Sequence, residues 1–203
     1  MEIKQLTQND TQAFCDLIVD MYSNLENLEW FSPMPYDYDN VSSMISNERF
    51  YIIGAFENDV LCGVCSLDYK CGKLIGKIDF PKDCDTSKLV EIGFNIVHSK
   101  YRGRGIMKIM VSNIMQKIHQ DGFEWAFAKI HKDNCASFKS VQKLGFDIFT
   151  AYQKPVKCQD FISLSSQDFF SPVGKQNAKV TLSKLDKDAQ EIIVDYNIWI
   201  KPV

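Results

Sequence analysis

Hydrophobic and polar positions along the chain follow two different periods, and each period predicts one kind of secondary structure. Apolar residues that recur every three or four positions predict amphipathic helices from Phe14 to Leu25 and from Met107 to Ile118, with shorter helices at Val41–Ser46 and before Gly145. Short apolar or alternating runs predict strands at residues 2–7, 50–56, 60–69, 89–97, 125–130, 146–153 and 191–203. This mixture is typical of an α/β (α+β) fold.

The order of these elements predicts how they connect. The strand at 89–97, the helix that starts at Met107 and the strand at 125–130 follow one another, so we expect a right-handed crossover between parallel strands. The last two strands are expected to form an antiparallel pair that completes the sheet, with residues 157–188 as an insertion between them. We therefore predict a single domain over residues 1–203.

Composition and charge exclude several classes of protein. With 203 residues and 45% hydrophobic content, the chain can bury a substantial core. The net charge of -3 and the pI near 5.6 give no broad basic surface, so we expect no nucleic-acid partner. The sequence has neither a long apolar run nor a signal-peptide core, which predicts a soluble cytoplasmic protein with no membrane partner. The oligomeric state stays open, a homodimer included.

The seven cysteines do not predict a disulfide framework or a metal site. Cys62 and Cys65 have the spacing of a CxxC pair, but they lie in a strand-like run, where residues three apart are expected to point to opposite faces. No second pair or histidine cluster completes a zinc site. We therefore expect core cysteines and no bound metal.

A short glycine- and arginine-rich segment, YRGRGI at residues 101–106, stands between a predicted strand and a predicted helix. It holds Arg102 and Arg104, two of the three arginines of the chain, beside Gly103 and Gly105. Amides at a helix N-terminus lack intrahelical partners, so this composition suits a bound phosphate group. The alternative is a sharp turn that needs glycine and leaves its arginines in solvent. Neither a dinucleotide motif nor a P-loop is present.

The segments VEIGFNIVHSKYRGRGIMKIM and HKDNCASFKSVQKLGF resemble the GNAT superfamily of N-acetyltransferases. The family's pyrophosphate-binding pattern, (Gln/Arg)-x-x-Gly-x-(Gly/Ala), corresponds to residues 102–107, with methionine at the last position. The resemblance implies acetyl-CoA as cosubstrate and a mixed, largely antiparallel twisted sheet whose central parallel strands splay apart, with a bulge near Asn95–Val97. It assigns cofactor binding to Ile96, Val97, Arg102, Gly103, Arg104, Gly105, Ile106, Met107 and Asn134.

The same resemblance indicates two catalytic candidates. Glu91 stands where some members have a glutamate base, although a strand carboxylate that faces solvent or binds a loop explains it as well. The tyrosine that many members use as general acid is replaced by Val141. Ser137 resembles the serine of members with an Asn-x-x-Ser arrangement and either donates a proton or serves as a local helix cap. His131 is either a proton relay or a surface residue.

The function implied is an acetyl-CoA-dependent N-acetyltransferase that modifies a primary amine, of a small molecule or a peptide, by direct attack in a ternary complex. The alternatives are a non-catalytic acyl-CoA-binding sensor or scaffold, and an anion-binding regulatory domain unrelated to coenzyme A. The acidic and aromatic segment from Glu29 to Asp39 suits a cationic amine, and it is equally explained as a solvated loop with core anchors.

Overall fold

A computed structural model describes residues 1–31, 34–70, 77–157 and 191–203. Its strands form one sheet in the order β1-β2-β3-β4-β5-β7-β6. The strands are β1 Glu2–Gln5, β2 Phe50–Glu57, β3 Val60–Asp68, β4 Leu89–Val97, β5 Trp125–His131, β6 Asp147–Lys157 and β7 Glu191–Pro202. The helices are α1 Thr11–Ser23, α2 Tyr38–Ser46, α3 Ile106–Gln120 and α4 Cys135–Gln142.

The predicted fold class is confirmed. β4 and β5 are parallel and joined through α3, whereas the other neighbouring strands in the sheet are antiparallel. β7 lies between β5 and β6 and pairs with both. The strand predicted to end at residue 153 continues to Lys157, which is the first residue of the predicted insertion. The remainder of that insertion, residues 158–188, lies outside the described residues.

Local backbone chemistry explains where several elements end. Asn58 and Asp59 form the two-residue turn between β2 and β3 with φ of 50° and 63°, a left-handed conformation that asparagine and aspartate tolerate better than most residues. Gly145, with φ of 84°, follows α4, as the sequence predicted. No helix of the described residues is long and apolar enough to cross a membrane.

The sheet separates two hydrophobic clusters. One face packs on α1 and α2 around Phe14, Tyr22 and Ile96. The other packs on α3 and α4 around Met110 and Phe146. A smaller cluster, which includes Phe127 of β5 and Ile198 of β7, packs against these two strands. β4 and β5 are thus covered on both faces, which explains why both read as apolar runs in the sequence.

β4 and β5 separate part-way along their length. They pair from Leu89 opposite Trp125 to Ile92 opposite Ala128, and β4 then continues to Val97 paired only with β3. The separation coincides with a bulge in β4, where Gly93 and Phe94 together face Ser66 of β3. The bulge predicted at Asn95–Val97 therefore lies earlier in the strand. Its position depends on Gly93, since a Cβ there would collide with Ser66 Oγ.

The prediction that Cys62 and Cys65 face opposite sides of the sheet is wrong. β3 carries its own bulge at Cys62, because Ala55 faces Gly63 while Phe56 faces Leu61. The extra residue brings both thiols into the same hydrophobic cluster. Both are buried and free, and burial raises the pKa of each thiol, so they behave as core residues.

Candidate active site

The separation of β4 from β5 opens a cavity of about 280 Å³, which we call the cleft. β3, β4 and β5 form its base, and α4, β7 and the α1–α2 connection form its sides. The structure brings the predicted residues Glu91, Asn134 and Ser137 together in the wall of the cleft. The predicted cofactor segment, residues 102–107, lies outside this wall, after the carboxyl end of β4.

Glu91 lies in the base of the cleft with 15% of its side chain exposed, so it is not a solvent-facing strand carboxylate. Its Oε1 is 3.6 Å from Lys129 Nζ on β5. Burial raises the pKa of Glu91 above its usual value, Lys129 opposes the rise, and the charge of Asp68 adds to it. The result is a carboxyl group poised to hold a proton at a higher pH than an ordinary glutamate.

A second ion pair lies beside the first. Asp68, the neighbour of Glu91 across β3 and β4, accepts from Arg49 Nε at 2.7 Å and from Arg49 Nη2 in a two-point contact. Its side chain is 11% exposed. The charge of Asp68 is therefore balanced within the protein.

The start of α4 gives Asn134 and Ser137 defined roles. Asn134 is the N-cap, and its Oδ1 accepts from the backbone amide of Ser137 at 3.1 Å. The Ser137 side chain lines the cleft. Val141, one turn later, also lines the cleft and is buried, so it supplies an apolar contact where the resemblance places a tyrosine.

The ladder between β3 and β4 decides which amides of β4 face the gap. His98 N donates to Cys62 O at 2.9 Å, and Val97 and Ile96 face Gly63 and Val64. In an antiparallel ladder the donors alternate in direction, so the amide of Ile96 is used within the sheet and that of Val97 points away from β3. The amide of Ile96 is therefore not available to an oxyanion, which corrects the prediction that Ile96 contacts the cofactor.

The glycine-rich segment has an open backbone at the start of α3. Gly103 and Gly105 adopt φ of 78° and 77°, and a Cβ added to either would meet nothing within 4 Å. Gly105 is the N-cap, and Ile109 N donates to its carbonyl at 3.2 Å. The amides of Ile106 and Met107 precede that first helical hydrogen bond and have no partner inside the helix. The start of α3 thus presents amides without helical partners, which suit a bound anion.

Both arginines of the segment have partners within the protein. Arg104 makes a two-point contact with Glu57 at 3.0 and 2.6 Å and lies over the Tyr101 ring, 5.3 Å from its centroid. Arg102 donates to Val97 O at 3.2 Å and to Asn24 O at 3.3 Å. Arg102 therefore ties the segment to α1 and β4, while Arg104 can exchange a carboxylate for another anion.

In the segment from Glu29 to Asp39, the aromatic and the acidic side chains have different surroundings. Its aromatic residues Trp30 and Phe31 line the cleft, whereas Asp37 caps α2 by accepting from Asn40 N at 3.1 Å. Among the described residues that line the cleft, none of the segment's acidic side chains is present. The described wall therefore lacks the acidic side chains expected for a cation, since Asp37 caps α2 and the Glu29 carboxylate lies 3.9 Å from His131 Nε2.

His131 is buried, 4% exposed, and is not the surface residue that the sequence allowed. Its Nδ1 accepts from Asp133 N at 3.2 Å, and its Nε2 lies 3.9 Å from Glu29 Oε2. Burial lowers the pKa of His131, so the imidazole stays neutral near pH 7. In the part of the chain that is described, no group of three or more potential metal-ligating side chains occurs.

Comparison with known proteins now decides the family. A family model described as an acetyltransferase (GNAT) domain matches residues 1–147, nearly three-quarters of the chain. The chain belongs to the GNAT acetyltransferases. The sequence-based prediction of an acyltransferase that uses acetyl-CoA is thereby confirmed at the level of the family. A search of curated proteins gives no significant match.

Solved structures share the GNAT fold over the whole chain. A ribosomal-protein-alanine N-acetyltransferase from Brucella melitensis is 15% identical, with 100% of both chains covered and a TM-score of 0.66. An N-acetyltransferase from Staphylococcus aureus Mu50 is 14% identical, with 99% and 97% covered and a TM-score of 0.64. A Salmonella typhimurium acetyltransferase solved with acetyl-CoA is 16% identical, with 100% and 93% covered and a TM-score of 0.63. At these identities the likeness shows the fold alone.

The glycine segment of this GNAT protein has room for a pyrophosphate, because no atom lies within 4 Å of the positions that Cβ atoms would take at Gly103 and Gly105. Sequence reasoning missed other polar residues of the cleft. These are Ser66, Asp68, Asn95 and Lys129. The available signal was a polar residue inside an otherwise buried strand run, as in LCGVCSLD and WAFAKI, where burial demands a partner or a function.

Proposed function

We propose that this GNAT protein transfers an acetyl group from acetyl-CoA to a primary amine, which attacks the thioester directly in a ternary complex. The observation that carries the proposal is Glu91, a largely buried carboxylate next to the point where β4 and β5 separate, with its pKa raised by burial. A base with a raised pKa can accept a proton from a substrate ammonium, directly or through water, and keep it during the reaction.

Three further groups support the proposed chemistry. The amide of Val97, which points away from β3, is proposed to donate to the thioester oxygen as that oxygen gains negative charge. Ser137 lines the cleft at the N-terminus of α4 and is proposed to donate its proton to the departing thiolate while it receives the proton that the attacking nitrogen loses. The helix N-terminus also lowers the energy of that thiolate.

The glycine-rich segment is proposed to hold the cosubstrate. The amides of Gly105, Ile106 and Met107 would bind the pyrophosphate, and Arg104 would turn to it from Glu57. Ile106 is buried and Met107 is half-buried against the cluster beneath α3, so both side chains fix the helix end while their amides bind. Asn134 holds the start of α4 beside the reacting groups through its cap.

Ligand binding and turnover test the proposal separately. Coenzyme A and acetyl-CoA should each raise the melting temperature, because they bind the folded state. At a ligand concentration of one hundred times Kd, binding adds about 2.7 kcal/mol to the free energy of unfolding. An absence of any shift at millimolar coenzyme A would contradict the assignment of the glycine-rich segment.

Thiol release from acetyl-CoA, measured with a panel of amines, then tests catalysis. The panel includes a peptide with N-terminal alanine, since the Brucella melitensis relative is named for an alanine substrate. Glu91→Gln should lower kcat/KM by about 10²- to 10⁴-fold and Ser137→Ala by a smaller factor, with coenzyme A binding retained. Binding without thiol release for any amine would favour the alternative, an acyl-CoA sensor.

A further inference from the structure

We infer, on the basis of the proposed function, that the acceptor is a primary amine on a compact apolar body that carries no second positive charge. The inference concerns the part of the cleft that lies beyond Glu91 and is bounded by the α1–α2 connection. It rests on the size of this space, on its apolar lining and on the pairing of every carboxylate in its described wall.

Much of the lining is aromatic or thioether. This part includes Trp30, Phe31, Met34, Met44, Phe50, Phe94 and Tyr196. A volume of about 280 Å³ lies at the low end for ligand pockets, which run from about 300 to 1,000 Å³. This volume belongs to the whole cleft, so the part of an acceptor that enters it is about the size of a phenyl ring or a short alkyl chain.

The charges of the wall are already balanced. Among the described residues that line the cleft, the carboxylates are Asp68 and Glu91. Arg49 holds Asp68 with two donors, and Lys129 lies 3.6 Å from Glu91. Only Glu91 is placed to exchange a proton with the reacting amine. A second ammonium on the acceptor would lose its water and find no unpaired carboxylate in this wall.

The remaining polarity of the wall is neutral. Ser66 Oγ, Asn95 Oδ1 and Trp30 Nε1 are buried and have no hydrogen-bond partner among the described residues. These residues line the cleft, but the three atoms themselves are closed off from its surface, so they add neither charge nor an exposed hydrogen-bonding group to the wall. Apolar packing, not charge attraction, therefore selects the acceptor.

A matched pair of acceptors tests the inference. Hexylamine and 1,6-diaminohexane have the same length and differ by one terminal ammonium group. We expect kcat/KM for thiol release from acetyl-CoA to be at least about tenfold higher with hexylamine. Equal or higher values with 1,6-diaminohexane, or with spermidine, would overturn the inference and leave the proposed acetyl transfer intact. A lack of thiol release with every amine would overturn the proposed function instead, and the inference with it.

Two further acceptors distinguish the source of the amine. Phenethylamine represents a free monoamine, and Phe-Ala-Ala with an amidated C-terminus represents the N-terminal residue of a peptide. Both present one amine on an apolar body, so turnover of either agrees with the inference. The ratio of the two kcat/KM values identifies the source, and preference for spermidine over both contradicts the inference.

Substitutions that unbalance the wall provide the structural control. Arg49→Met leaves Asp68 without its cation and should move the hexylamine to 1,6-diaminohexane ratio of kcat/KM toward the diamine by about tenfold. Lys88→Met removes a lysine whose partner is Glu124, outside the cleft wall, and should leave the ratio unchanged. If Arg49→Met does not fold, Met44→Glu adds a carboxylate to the same wall and should shift the ratio in the same direction. An unchanged ratio in the folded variants would contradict the inference.

Discussion

At the scale of single residues, the chemistry of the cleft depends on four charged side chains that lie close together and are largely buried. Glu91 from β4 faces Lys129 from β5, and Asp68 from β3 faces Arg49 just before β2. Burial raises the pKa of Glu91, Lys129 lowers it and Asp68 raises it. The carboxyl group that we propose as the base is therefore tuned by residues from three other parts of the chain.

The first prediction follows from the direction of that pKa shift. A base acts only when it is ionised, so kcat/KM should rise with pH and level off above the pKa of Glu91. Because burial raises this pKa, the rise should lie above the ordinary glutamate value of about 4.3. Thiol-release assays across pH measure it. Glu91→Gln should remove the rise, and an unaltered acid limb in that variant would exclude Glu91 as the group observed.

A second prediction concerns Lys129, which acts on the reaction through Glu91. Replacing it by methionine removes the nearby cation and should raise the pKa of Glu91 further, moving the acid limb of kcat/KM to higher pH. Lys129→Arg keeps a positive charge and should restore the wild-type limb. A loss of activity at all pH values without a shift would indicate a purely structural role for Lys129.

At the scale of elements, the start of α3 joins a glycine conformation to an anion site. Gly105→Ala forces alanine into φ of 77°, which costs about 1–2 kcal/mol, and also places a Cβ on the open surface where phosphate is proposed to bind. Gly122→Ala is the matched control, since Gly122 has φ of 79°, open space around its Cα and a position at the other end of α3.

The two glycine variants should lose similar stability in urea unfolding. Only Gly105→Ala should weaken coenzyme A binding, by about tenfold or more, in isothermal titration calorimetry. Equal binding by the two variants would mean that the amides at the start of α3 do not contact the ligand.

The fourth prediction concerns the carboxylate that holds Arg104. Glu57→Gln keeps the shape of the side chain and removes the charge that competes with a phosphate, so coenzyme A should bind about two to five times more tightly. Glu124→Gln, whose partner Lys88 lies away from the loop, should bind as the wild type does. Calorimetry at two salt concentrations provides the measurement. Weaker binding by Glu57→Gln would show that Glu57 orients Arg104 instead of competing for it.

Sequence patterns determined much at this scale because they are local. The run LVEIGFNIV predicted β4 with its final boundaries, and the glycine-rich segment was placed correctly before α3. The bulge of β4 was misplaced because it depends on Ser66, which is 27 positions before Gly93. The acidic side chains of the segment from Glu29 to Asp39 are absent from the described wall, and the sequence does not reveal that Asp37 is used by a helix N-terminus.

At the scale of the whole molecule, β7 joins the last strand of the crossover to the edge strand β6. Ile198 is fully buried in this strand, whereas Ile193 is 59% exposed. Ile198→Ala should lower the free energy of unfolding by about 2–5 kcal/mol because it leaves a cavity. Ile193→Ala should change it by less than about 0.5 kcal/mol. Chemical denaturation measures both, and equal effects would place β7 outside the core.

The sequence by itself determined the order and type of the elements and the family, and it predicted the segment that we propose binds a diphosphate. These depend on hydrophobic period and on glycine backbone freedom, which are properties of neighbouring residues. Tertiary structure alone decided that Glu91 meets Lys129, that Arg49 neutralises Asp68, and that Arg104 rests on Glu57. Such pairs form between residues 19 to 47 positions apart, because strand register and twist bring their side chains together only in the folded sheet.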